Sequence, residues 1–73
     1  MRIRDEKYIK EFGKNLRRLR NSKNITQEKL AFSIGIEISQ ISRIERGVVN
    51  TSISTAKAIS NALDIEMKEL FDF

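Results

Sequence analysis

The sequence predicts an all-α fold of five short helices, and three observations carry that prediction. Apolar residues recur at three- and four-residue steps in separate segments, as helices with one buried stripe require. The chain has no proline to break a helix and no alternation of apolar and polar residues long enough for a useful strand. Between Gln27 and Glu45, in QEKLAFSIGIEISQISRIE, small and apolar residues fall where two short helices must cross closely. Counting from Gln27, Ala31 takes the fifth place and Gly35 the ninth; Leu30, Ile34, Ile36, Ile41 and Ile44 take the fourth, eighth, tenth, fifteenth and eighteenth. That is the spacing of a helix-turn-helix.

Met1 to Glu6 shows no apolar period and is expected to form a short arm. From about Lys7 to about Ser22, Ile9, Phe12, Leu16 and Leu19 mark a first amphipathic helix, with Lys14, Arg17 and Arg18 on its other faces. Asn21 to Asn24 is a polar break. Thr26 is the N-cap of the next helix, although Lys29 stands where a full capping box has Glu or Gln. That second helix runs from about Gln27 to Ile34, with Glu28 favourably placed in its first turn. Ala31 marks the point of closest approach to its successor, and Gly35 permits a positive φ so that the chain turns within three or four residues.

The third helix is expected from about Ile38 to Arg46, with Gly47 as its stop. Ile41 and Ile44 turn inward, which leaves Ser39, Gln40, Ser42, Arg43 and Arg46 outward. An exposed polar and basic helix face fits the DNA major groove. VVNTS forms a loop, and Ser52 or Thr51 caps a fourth helix whose inward residues are Ile53, Ala56, Ile59, Ala62 and Leu63. Asp64 and Ile65 break it. Glu66 to about Phe71 forms a last short helix bearing Met67, Leu70 and Phe71.

Seventy-three residues are expected to make one domain, residues 1–73, with residues 1–6 as the arm. A core of this size removes only about 60% of the unfolded chain's surface from water, so self-association is expected to add to it. The absence of cysteine and histidine excludes a disulfide framework, a zinc finger and any thiolate or imidazole metal site. No nucleophile with a base and no paired acids stand out, so neither catalysis nor a cofactor is expected. There is no apolar run of membrane-spanning length and no h-region behind MRIRDEK, so a cytoplasmic location without membrane attachment is expected. The net charge of +4 is unevenly spread: +6 over residues 1–24, zero over 25–47 and −2 over 48–73. Such asymmetry suits a polyanion near the first helix, or is simply a solvated helix face.

LRRLR at Leu16 to Arg20, TQEKLA at Thr26 to Ala31 and ISRIERG at Ile41 to Gly47, followed by Asn50 and AISNALDI, together resemble the phage repressor-like (Xre-type) helix-turn-helix proteins. The resemblance extends over roughly residues 9 to 71. It implies a compact five-helix DNA-binding domain with the helix-turn-helix at helices 2 and 3, acting as a homodimeric transcriptional regulator on double-stranded DNA. Carried over by position, Ile38, Ser39, Gln40 and Arg43 match base-facing places. Gln27 matches a phosphate contact that also steadies the third helix, and Asn50 matches a backbone contact in the following loop. Arg20 and Glu45 match a largely buried ion pair.

Three positions depart from the family pattern. Glu37 stands where Ser or Thr is usual, removing a short N-cap side chain and placing a negative charge at the groove-facing end. Ile38 is apolar, so it either touches a thymine methyl or covers the turn. Thr51 replaces a common proline, which leaves the loop less fixed. The expected function is a sequence-specific regulator on a palindromic operator, with Ile65, Met67, Phe71 and Phe73 as candidates for the dimer seam. The alternative is a protein-interaction module, such as an antitoxin whose main partner is a toxin and whose contact face is the acidic, apolar C-terminal end. The family's small members include phage repressors, controller proteins of restriction systems and antitoxins, and the residues do not choose among them.

Overall fold

The computed structural model describes residues 3–73, so Met1 and Arg2 of the expected arm lie outside the described residues. Five helices follow in order: α1 (Glu6–Ser22), α2 (Gln27–Ile34), α3 (Ile38–Glu45), α4 (Ile53–Ala62) and α5 (Met67–Leu70). Their order and approximate extents are those the sequence predicts.

The helix starts show why the segments begin where they do. The Asp5 carboxylate accepts the Tyr8 N–H at 2.9 Å, so α1 begins at Glu6, inside the stretch expected as an arm. Thr26 caps α2 by accepting the Lys29 N–H at 3.0 Å, and Ser52, rather than Thr51, caps α4 by accepting the Thr55 N–H at 3.1 Å. The missing short cap at Glu37 is made good from inside α3. The Gln40 side-chain oxygen reaches back to the Glu37 N–H at 3.0 Å as part of a capping box, and Glu69 does the same for Glu66 at 2.9 Å.

The helix ends share one device. A residue with positive φ (Asn24, Gly35, Gly47 or Asp64) follows each of α1 to α4. The next N–H then bonds the carbonyl five residues back: Ile25 to Arg20, Ile36 to Ala31, Val48 to Arg43 and Ile65 to Ser60. Ile25, Ile36 and Ile65 pack against the core, whereas Val48 is exposed. At the end of α3 this closure makes Arg46 the cap, so the helix stops at Glu45, one residue earlier than expected.

Leu16, Leu30, Ile41, Ile59, Leu63 and Leu70 are fully buried at the centre, with every helix represented. Each such side chain contributes about 1.5–3 kcal/mol on leaving water. α1 lies over α3 and α5, while α2 packs on α3 and α4. Gly13 makes the α1–α3 contact possible: a Cβ there would stand 2.6 Å from the Glu45 carbonyl oxygen and closer still to that of Ile44. Asn15, buried in α1, donates from Nδ2 to the Glu69 and Leu70 carbonyls at 2.8 and 2.9 Å, and its oxygen accepts from Arg18 at 2.7 Å. This one amide satisfies the end of α5 and ties it to α1.

One residue expected in the core is not there. Ile53 is 84% exposed, because it lies in the first turn of α4 at the edge of the stripe defined by Ala56, Ile59 and Leu63, and it opens onto a surface groove. Ala62 is half-buried rather than fully inward.

Candidate nucleic-acid interface

α3 is buried on one side and open on the other, and its sequence explains both. Ile41 and Ile44 are 0 and 4% exposed, while Ile38, Ser39, Gln40, Arg43 and Arg46 are all exposed. Ser39, Arg43 and Arg46 recur at four and three residues and so share a face. Among the described residues Arg43 has no carboxylate within ion-pair distance, so it does not fold back onto Glu37. Its guanidinium is available to a ligand. Ile38 is 47% exposed, only half covering the turn.

The helix is held from behind by Arg20 and Glu45. Arg20 Nε donates to Glu45 Oε2 at 2.6 Å and Nη2 to Oε1 at 3.0 Å, a two-pronged pair in which both residues are 7% exposed. Arg20 Nη1 also donates to the Ile25 carbonyl at 2.7 Å, so the same guanidinium fixes the turn before α2. The Glu45 carboxylate holds the Arg20 pKa above its ordinary value, chiefly through the hydrogen bond. Burial opposes this shift and Coulombic attraction adds to it. Gln27 Nε2 donates to Glu45 Oε1 at 2.9 Å, linking the start of α2 to the end of α3. That nitrogen keeps a second hydrogen for an outside acceptor such as a phosphate.

Gln40 and Arg43 line one open groove of about 320 Å³ together with Asn50, Thr51, Ser52 and Thr55. The loop thus brings the exposed Asn50 to the flank of α3. Arg4 also reaches this region by donating to the Val48 carbonyl at 3.2 Å. Neither Arg4 nor Gly13 stands out in the sequence: Arg4 sits in an aperiodic stretch, and a glycine at position 13 reads as a weak point in a helix. Only their neighbours in space give them roles.

The expected seam residues flank α5, and the groove they border shares Val49, Asn50, Thr51 and Ser52 with the one beside α3. Phe71 is 41% exposed and Phe73 49%, each leaning on a ring of α1: Phe12 to Phe71 at 5.1 Å between centroids and Tyr8 to Phe73 at 4.9 Å. Ile65 and Met67 are half-buried against the core. Phe71 is therefore not wholly in the monomer core. Tyr8, Phe12, Ile53, Met67 and Phe71 border an apolar groove of about 190 Å³. Among the described residues no helix is long and apolar enough to cross a membrane.

A family model described as helix-turn-helix (HTH_3) matches residues 16–70. The control protein C.BamHI of Bacillus amyloliquefaciens is 46% identical over 63 residues, covering 85% of this chain and 78% of that protein. The HTH-type transcriptional regulator SlrR of Bacillus subtilis is 39% identical over 61 residues, which is 82% of this chain but 40% of the regulator. Among solved structures, the restriction-modification controller protein C.AhdI from Aeromonas hydrophila superposes with a TM-score of 0.88 at 41% identity, covering 90% of this chain and 96% of that one.

Proposed function

We propose, from the fact that this chain belongs to the helix-turn-helix family, that it is a sequence-specific DNA-binding transcriptional regulator acting in the cytoplasm as a homodimer on a two-fold symmetric operator. The observation that carries the reading is the construction of α3: apolar on one side, polar and basic on the other, and locked by the Arg20–Glu45–Gln27 network. A helix so held can enter the major groove without losing much side-chain freedom on its buried side. Arg43 reads guanine O6 and N7 with its fork of donors. Ser39, Gln40 and Ile38 complete the base-facing set, while Gln27 and Asn50 hold phosphates.

The names carried by C.BamHI and C.AhdI favour control of restriction-modification genes over an antitoxin role. The exposed apolar end is accordingly assigned to a second copy of the chain rather than to a toxin. Ile65, Met67, Phe71 and Phe73 form this seam, bordered by Tyr8 and Ile53. Two copies joined there present two recognition helices to successive major grooves, about 34 Å apart.

Selection of bound fragments from genomic DNA tests the function. It should enrich a two-fold symmetric site beside restriction and methyltransferase genes. With about 6 to 10 phosphate contacts, affinity should fall roughly 10³- to 10⁵-fold between about 50 and 200 mM salt. Arg43→Ala should flatten the preference at one base pair per half-site, a loss of about 1–3 kcal/mol against the wrong base. Enrichment of nothing above bulk DNA would reject the reading. The seam has its own test in sedimentation of Phe73→Asp, which should weaken self-association. A folded variant that associates as before removes Phe73 from it.

A further inference from the structure

At the leading end of α3 the two polar side chains differ in what they have left to offer a ligand. The Gln40 oxygen is engaged by the Glu37 N–H at 3.0 Å, and because that partner is a donor the amide cannot be turned round. Its NH₂ group and one oxygen lone pair remain for DNA. Arg43 only donates. Glu37 is exposed, makes no ion pair among the described residues and stands immediately before the base-facing residues. Its carboxylate makes no cap hydrogen bond to the helix, so its lone pairs are open to a donor. A carboxylate so placed repels every DNA phosphate, and it becomes favourable only where the groove offers it a hydrogen. In the major groove those hydrogens are the N4 amine of cytosine and the N6 amine of adenine. The adenine amine lies next to the N7 acceptor, which repels a carboxylate, so cytosine is the better match.

Resting on the regulator reading above, we propose that Glu37 is a specificity-determining residue that selects a cytosine amino group in each half-site. The operator then carries a cytosine facing Glu37 and a guanine facing Arg43. The charge that lowers affinity for DNA in general raises discrimination at this one base pair.

The test uses the full 73-residue chain and the site enriched by the wild-type protein, with every single base-pair change made in both half-sites. Wild type should bind about tenfold more tightly with cytosine at one symmetric position. Glu37→Ala should lose that preference alone, keep the guanine preference of Arg43 and bind unrelated DNA more tightly. Glu37→Gln, which retains an acceptor and the capping geometry, should accept adenine as well as cytosine there. The proposal is overturned if Glu37→Ala binds all sites more tightly with its preference at every position intact, since the carboxylate would then act by repulsion only. It is overturned equally if Glu37→Gln discriminates as the wild type does. Should the wild type enrich no site at all, the regulator reading itself fails, a result distinct from either of these.

Discussion

Glu45→Ala should leave the protein mostly unfolded in mild denaturant, with a loss of about 3–5 kcal/mol. The Arg20 guanidinium would keep its Ile25 carbonyl contact but lose both carboxylate oxygens, in a residue only 7% exposed. A chain of this length has a total stability of roughly 4–11 kcal/mol, so the loss removes much of it. Arg20→Met combined with Glu45→Leu should recover most of the stability, because no unpaired charge is left inside. That double variant should still bind DNA poorly, since Gln27 loses its acceptor at the end of α3. Urea titration of the wild type and these two variants decides the matter, and a loss below about 1 kcal/mol for Glu45→Ala would show that water reaches the orphaned guanidinium. The Arg20 pKa is raised, so its contribution is fully present below the ordinary arginine value and is lost only as pH rises through the shifted one. Its part in stability should therefore not vary across neutral pH.

Gly13→Ala should destabilise the fold although alanine is the better helix former. The propensity gain is about 1 kcal/mol. Against it stands a Cβ placed 2.6 Å from one backbone carbonyl and nearer to another, contacts that no rotamer change can relieve. Forcing the helices apart costs typically about 1–3 kcal/mol, and Gly13→Val should cost more. Thermal unfolding should show a fall in Tm of roughly 4–8 °C per kcal/mol of net loss. The carbonyls concerned belong to Ile44 and Glu45, so the strain falls on α3 itself, and DNA affinity should drop even where the variant is folded. A Tm equal to or above the wild type would show that α1 slides without cost. Gly35→Ala makes a useful contrast: a Cβ there meets nothing within 4 Å, and any loss comes from its φ of +76° alone.

Much of this protein follows from its sequence because the responsible interactions are local. Thr26 and Ser52 cap helices three residues ahead, Gly35 turns the chain where it stands, and Ile41 and Ile44 share a face by helical geometry alone. The exposure of Ser39, Gln40 and Arg43 is the complement of that burial and is legible for the same reason. The family pattern, read from LRRLR, TQEKLA and ISRIERG, added the pairing of Arg20 with Glu45, which no local rule supplies.

Tertiary structure decided what depends on residues distant in the chain. Glycine at position 13 resembles a flaw in α1 until the carbonyls of α3, about thirty residues further along the chain, are seen against it. Asn15 reads as an ordinary polar residue until its amide is found on the last carbonyls of α5, separated from it by 54 and 55 residues. Ile53 fits the helical period of α4 yet lies exposed, because period specifies a direction around a helix and not whether another element waits there. Glu37 shows the same limit on the functional side. Its charge is plain in the sequence, but the bond from its backbone N–H to the Gln40 oxygen, and a carboxylate without an ion pair among the described residues, are seen only once α3 has formed.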